Sequence, residues 1–239
     1  MIRRPHDVEF YAWGHLLRSP DESSAVLLHE EIFVKRIYEF PVRIDHPRMI
    51  VDCGANVGTA MSYFCQAYPD AHVLCIEPDP LSFSYLKHNV ERNHLQNRTT
   101  LLNVAVADSH GTRPFYASPV SQYSLRMSLD RDRMGGVGVP TPVTVERLSQ
   151  IVPLETDILK LDVEGAEFSI VNDLQEEDLL PSALAVEVHH NPVLRGRLPQ
   201  LLGTLEEAGL NCTLDANPKP GFPGDPYQDI MVWAQRYPK

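Results

Sequence analysis

Ala25, Val26, Leu27, Leu28, Ile32, Phe33, Ile37 and Phe40 recur at helical spacing, with Glu30, Glu31, Lys35 and Arg36 on the other face. They predict an N-terminal helix packed against the rest of the chain. Further on, Arg48-Met49-Ile50-Val51-Asp52 reads as a short buried strand that ends at a glycine-rich turn. The helix that follows carries Val57, Ala60, Met61, Phe64 and Cys65 on its apolar side. The alternation continues with strands at 72–76, 100–105, 157–161 and 183–189, helices at 80–92, from Gly165 and at 197–208, and a last pair of strands near 211–215 and 229–234. Strands separated by helices imply a Rossmann-like α/β fold with a mostly parallel sheet and right-handed crossovers. Two stretches break the pattern. Residues 118–140, with Gly135, Gly136, Gly138 and several serines, are expected to form a mobile loop, and the Pro- and Gly-rich run at 217–224 to join the last two strands. The chain thus divides into an N-terminal helical extension or lid over 1–46 and one α/β domain over 47–239.

A length of 239 residues suits one such domain with decorations better than two. The formal charge of −11 argues against a nucleic-acid partner, because phosphate binding draws on clustered Lys and Arg. A small-molecule partner fits better, and a homo-oligomer stays open. No apolar run approaches the roughly 20 residues that span a bilayer, and the N-terminus lacks a signal-peptide core, so a cytoplasmic protein without membrane contact is expected. Cys53, Cys65, Cys75 and Cys212 form no C-x-x-C pair and read as reduced thiols.

Asp52-Cys53-Gly54-Ala55-Asn56-Val57-Gly58 sits where strand meets helix, so glycine lets the backbone turn tightly near a ligand. Glu77 follows Gly58 by 19 residues and ends the next strand, where a carboxylate can accept both hydroxyls of an adenosine ribose. The pair signals a nucleoside. Met61 and Ser62 stand where a dinucleotide fold has its third glycine, which favours a ligand without pyrophosphate over NAD.

Asp52 to Gly58, Glu77-Pro78-Asp79-Pro80, Asn103 to Asp108, Leu159-Lys160-Leu161-Asp162-Val163-Glu164-Gly165-Ala166-Glu167 and Glu187-Val188-His189 together resemble the ordered motifs of the FkbM family of methyltransferases. The resemblance runs over residues 30 to 235, and its most specific piece is the run from Lys160 to Glu167. It implies a class I S-adenosylmethionine-dependent fold, a seven-stranded mostly parallel sheet with the last strand antiparallel. It also implies O-methylation of natural-product or saccharide hydroxyls, with N-methylation of an amide or amine as the alternative; a rival of a different class, an NAD-dependent oxidoreductase, has the absent third glycine and the Lys160 to Glu167 run against it. By position, Gly54, Asn56 and Gly58 would line the methionine end of the cofactor, Glu77 the ribose, and Asn103 with Val104 the adenine. Asp52, Pro78 and Asp162 complete that set. The product would be S-adenosylhomocysteine.

Methyl transfer is a displacement that needs acceptor, methyl and sulfur in line, and an alcohol must also lose a proton to a base or bind a metal that acidifies it. Asp162 follows strand 157–161, while Glu187 and His189, two apart on strand 183–189, face one side. Asp162, Glu187 and His189 are the catalytic candidates: Asp162 beside the transferring methyl, and Glu187 or His189 as base. Asp162 could instead cap the next helix, Glu164 and Glu167 serve that helix's first turn, and His189 simply be a hydrogen-bonded histidine. Asp162, Glu187 and His189 include adequate metal donors, but no tight ligand spacing supports a metal and none is predicted. Arg126, Arg131 and Arg133 could clamp an anionic acceptor, or be solvated. Phe10, Tyr11 and Trp13 could cover the acceptor site, or pack elsewhere.

Overall fold

The computed structural model describes residues 7–117, 125, 127–131, 138–190, 197–215 and 228–237, with no side-chain description at 190 and 228. Most of the expected 118–140 loop, with Arg126 and Arg133, and the whole Pro/Gly run at 217–224 lie outside the described residues. Arg131 is described and exposed.

The N-terminal extension is not purely helical. It opens as a hairpin in which β1 (Val8–Ala12) pairs antiparallel with β2 (His15–Ser19). Trp13 and Gly14 make the turn with φ of +47° and +97°, both left-handed, as a two-residue hairpin turn requires. The usual signature has Asn or Asp before the glycine, and a tryptophan there hides the turn from sequence reading. Asp21 caps α1 (Glu22–His29) by accepting the Ser24 N–H at 2.9 Å. The helix then widens into a π-helical turn, Glu30–Val34, and the chain leaves it near Arg36, whose φ is +55°. Ile37 and Phe40 therefore lie beyond the helix they were expected to extend.

The central sheet has seven strands: β3 (Met49–Cys53), β4 (His72–Ile76), β5 (Thr99–Leu102), β9 (Ile158–Leu161), β10 (Ala183–His190), β11 (Asn211–Leu214) and β12 (Gln228–Gln235), in the order β11-β12-β10-β9-β3-β4-β5. β5, β4, β3, β9 and β10 run parallel, and β12 lies antiparallel between β10 and β11. Strand side chains alternate between two covers. Ile50, Val73, Cys75, Ile158 and Ala185 pack under α2 (Thr59–Ala67), α3 (Pro80–Arg92) and the N-terminal segment. Val51, Leu74, Ile76, Leu159 and Val186 pack under α4 (Leu148–Ile151), α5 (Glu167–Glu176) and α6 (Arg197–Glu207). The strand order reverses between β3 and β9, the crevice where open α/β sheets take ligands.

The strand expected at 100–105 is two strands in two sheets. β5 ends at Leu102, and β6 (Ala105–Ala107) joins β7 (Gly111–Ala117) and β8 (Val139–Arg147) in a small sheet of order β6-β8-β7. β7 and β8 escape sequence reading because Pro114, Pro140 and Pro142 interrupt them, and proline normally argues against a strand interior. Cys53, Cys65, Cys75 and Cys212 are free thiols. Among the described residues no helix is long and apolar enough to cross a membrane.

Asn89, fully buried on α3, holds the hairpin to the domain. It accepts the Arg18 N–H at 2.8 Å and donates to the carbonyls of Arg18 and Val57 at 2.9 and 2.8 Å. Asn89→Ala strands three backbone groups at once and should cost roughly 2–4 kcal/mol in urea unfolding. A loss under about 1 kcal/mol would mean that other contacts seat the hairpin.

Candidate active site

The carboxyl ends of β3, β4, β9 and β10 open onto a cavity of about 320 Å³, the size of a small-ligand site. Its first wall is the turn after β3. The N–H groups of Gly54 and Ala55 both donate to the Ile76 carbonyl at 3.0 Å, which pins the turn against β4. Gly54 has φ +77°, and a Cβ there would fall 1.8 Å from the Asp162 carbonyl oxygen, so no other residue lets the ends of β3 and β9 meet this closely.

Glu77, 5% exposed, ends β4 and lines the cavity. Its two oxygens accept the N–H groups of Asn56 and Asp79, each at 2.8 Å. Burial pushes its pKa up to about 8, against the pull of those two hydrogen bonds. Pro78 and Val104 line the same end. Asn103 departs from expectation: its exposed side chain donates to the carbonyls of Glu77 and Pro78 at 2.8 and 3.1 Å and lies outside the cavity lining. It braces the strand end. Gly58 also stands back from the cavity; its φ of +90° starts α2, and a Cβ there would press Leu86 and Met61 at 2.8 and 2.9 Å.

Asp52 likewise does not reach the cavity. It is buried behind Lys160, whose Nζ lies 3.1 Å from it and 3.4 Å from Asp162. The Asp52 contact is an ion pair without hydrogen-bond alignment. Lys160 Nζ also donates to the carbonyls of Gly54 and Cys53 at 2.6 and 3.2 Å. Burial alone would neutralise acid and amine alike. The carboxylates of Asp52 and Asp162 decide for the charged pair and hold the Lys160 pKa above its ordinary value.

Asp162, Glu187 and His189 do converge, as their strand positions predict, and all three line the cavity. Asp162 does not cap α5, whose N-cap is Ala166 without a side-chain bond. His189 is buried, and its Nδ1 pairs with Glu167 Oε1 at 2.7 Å. Its Nε2 faces Glu164, Asp162 and Asp229 at 3.4, 3.7 and 3.9 Å. Burial lowers the pKa of His189, but the charges of Glu164 and Glu167 outweigh it and hold the ring well above its usual value. His189 thus sits inside a ring of carboxylates, held on one nitrogen by Glu167 and facing Glu164, Asp162 and Asp229 with the other.

The sequence reading missed Lys160 and Asp229. Lys160 sits at a buried strand position where a charge is rare, and that rarity was the available signal. Asp229 is opposite His189 across the antiparallel β10–β12 ladder, a register that no local pattern reveals. Glu167 serves the first turn of α5 as expected, accepting the Gly165 N–H at 2.9 Å, and also pairs with His189, while Glu164 precedes the helix and faces His189. Asp162, Glu164 and His189, and likewise Glu187, His189 and Asp229, place ligand-type atoms within 4.8 Å of one another, the donors a hard cation would meet. The N-terminal segment lines the cavity through Leu27, Leu28, Glu31, Ile32, Ile37 and Tyr38. Phe10, Tyr11 and Trp13 do not line it; Trp13 packs on Phe33 and Tyr63, and Tyr11 is exposed.

The sequence matches the profile of the family described as Methyltransferase FkbM domain over residues 52–211. The chain belongs to the FkbM methyltransferase family. This FkbM-family protein is similar to Methyltransferase sdnD of Sordaria araneosa, 28% identical over 222 residues that cover 80% of this chain and 84% of that one. It is similar also to the 31-O-demethyl-FK506 methyltransferase FkbM of Streptomyces tacrolimicus, 24% identical over 235 residues, 86% of this chain and 89% of the other. In fold it resembles the crystal structure of M. jannaschii TYW2 in complex with AdoMet, with a TM-score of 0.56, 12% identity, and 99% and 90% of the two chains covered. It is an S-adenosylmethionine-dependent methyltransferase, and hydride transfer to NAD drops out.

Because the folded protein keeps Glu77 protonated up to about pH 8, while an unfolded glutamate ionises near 4.5, unfolding releases a proton between those values. Glu77 therefore makes stability fall as pH rises through that window. Glu77→Gln should remove this part of the slope in urea unfolding of the ligand-free protein at about pH 5 and about pH 9. An unchanged slope would show that Glu77 is ionised in the fold.

Proposed function

We propose that this FkbM-family enzyme methylates a hydroxyl oxygen of a small acceptor, with Glu187 taking the hydroxyl proton. One observation carries the reading: a single cavity holds Glu77 at one end and the carboxylates of Asp162 and Glu187 at the other.

The residues present fit S-adenosylmethionine. Each Glu77 oxygen receives one backbone N–H, and the group can still meet the ribose hydroxyls, by accepting from them when ionised or by accepting one bond and donating another when neutral. Thr59, 2% exposed in the first turn of α2, lines the cavity with a hydroxyl that makes no hydrogen bond with any described residue, a group suited to the polar amino-acid end. The acidic floor favours a sulfonium electrostatically. When bound, the cofactor supplies an electrophilic methyl on a sulfur that leaves neutral. Everything else falls to the chain. Asp162 is held in place by Lys160 and by its own N–H, which donates to the Cys53 carbonyl at 3.2 Å. Glu187, on β10 beside it, is the lining carboxylate placed to receive the acceptor proton. Leu28, Ile32, Met127 and Leu129 keep water from the reacting atoms. Oxygen as the acceptor atom is supported by the names of two relatives, the FkbM protein already cited and the 2-O-methyltransferase NoeI of Sinorhizobium fredii, 24% identical over 63% of this chain.

Isothermal titration should give micromolar binding of S-adenosylhomocysteine and none of NAD. Glu187→Gln should keep that affinity within about twofold and slow transfer to an alcohol by about a hundredfold or more, read by mass spectrometry of the methylated product. Full activity in that variant would remove Glu187 as the base.

A further inference from the structure

Tyr38 stands outside the residues that match the family profile, in the segment that closes the cavity from the N-terminal side. It is only 3% exposed, and its ring is held between Phe64, 6.0 Å away between centroids, and the Lys160 ammonium, 5.6 Å from the ring centre. The backbone around it is anchored to β12: Trp233 Nε1 donates to the Ile37 carbonyl at 2.9 Å, and Gln235 exchanges hydrogen bonds with the backbone of Val42 at 3.1 and 2.9 Å. Yet the Tyr38 hydroxyl makes no hydrogen bond with any described residue, although the side chain lines the cavity. A buried phenol normally finds a partner. Burial, then the charges of Asp162 and Glu187, raise its pKa, so the hydroxyl remains a proton donor.

The cavity walls around it narrow the class of partner. Leu28 and Ile32 from the N-terminal segment, Phe115 from β7, and Met127 and Leu129 from the stretch between β7 and β8 give the lining an apolar side, with Glu31 beside them. Among the described lining residues Lys160 is the lone Lys or Arg, and its Nζ is already engaged by Asp52, Asp162 and two carbonyls. No described cation is left for a phosphate or carboxylate on the acceptor. A saccharide would press its many hydroxyls against hydrocarbon, which costs free energy for each one left unpaired.

We infer that the acceptor is an uncharged alcohol on a largely apolar scaffold, and that the Tyr38 hydroxyl donates a hydrogen bond to the oxygen being methylated. The inference rests on the O-methylation reading above. In the step itself the acceptor proton passes to Glu187, the oxygen lone pair forms the new C–O bond, and the C–S bonding pair leaves with sulfur. Tyr38 meanwhile fixes the direction of the attacking lone pair.

The test uses the full chain, methyl-labelled S-adenosylmethionine and three matched probe sets: cyclohexylmethanol and larger alicyclic alcohols, the corresponding primary amines, and methyl glycosides. Transfer is measured alongside binding of each probe to the S-adenosylhomocysteine complex. The alicyclic alcohols should bind and be methylated at oxygen, and the glycosides should do neither. Tyr38→Phe should lower kcat/KM for the alcohol by about tenfold or more, keep S-adenosylhomocysteine affinity within about twofold, and leave Tm within about 2 °C, because the lost hydroxyl bonds nothing in the protein. Loss of cofactor affinity in that variant would overturn the assignment by placing the hydroxyl on the cofactor, and a marked fall in Tm would make it structural. Preference for glycosides, or neither binding nor transfer with any alicyclic alcohol, would overturn the apolar class. Transfer to the amines and not the alcohols would instead sink O-methylation while leaving the apolar walls standing.

Discussion

A buried ammonium organises this molecule. Lys160 Nζ lies among the carboxylates of Asp52 and Asp162 and the carbonyls of Cys53 and Gly54, so the ends of β3 and β9 are joined by one charge at the point where the strand order reverses. Removing one member of such a group leaves an uncompensated charge in the interior, a cost of about 3–5 kcal/mol. The approach that makes the group possible is equally demanding, since the space beside Gly54 is filled by the Asp162 carbonyl. The turn that faces the cofactor and the carboxylate that faces the reaction are in this way parts of one assembly.

The electrostatics of the site follow from that assembly. Asp162, Glu164, Glu187 and Asp229 converge on one end of the cavity with Glu167 behind His189, and the Lys160 ammonium beside Asp162 compensates part of this negative charge. His189 gathers carboxylates from β9, the turn after it, α5 and β12, and holds them around a common centre. An interior that is acidic but locally compensated suits a cationic cofactor.

The walls of the site have a different origin from its floor. The floor is built from strand ends, while the walls come from the N-terminal segment, which precedes the family-matched residues, and from the region of the small β6-β8-β7 sheet. The floor is where chemistry common to methyl transfer belongs, and the walls are where acceptors are told apart. Tyr38 belongs to the walls yet reaches the charged end, and so links the two.

The glycine turn, Glu77 and the carboxylates at the ends of β9 and β10 were legible in sequence, because each is a local consequence of a buried strand running into a turn or helix. The same locality carried the parallel sheet, most of its strands and the convergence of Asp162, Glu187 and His189, since alternation along a strand places side chains without reference to the rest of the fold. What stayed hidden depended on contacts between distant segments. The Trp13-Gly14 hairpin and the proline-broken strands β7 and β8 are held by tertiary packing against their local propensities. The outward turn of Asn103, the ring of carboxylates around His189, the meeting of Asp229 with His189 and the entry of Tyr38 into the cavity depend on register and on contacts between distant parts of the chain. Sequence determined which strands end in chemistry, because backbone periodicity is a short-range property. Only the tertiary structure decided which of those groups meet in one cavity and which stand behind it, because desolvation and Coulomb interactions depend on what lies within a few ångströms in space.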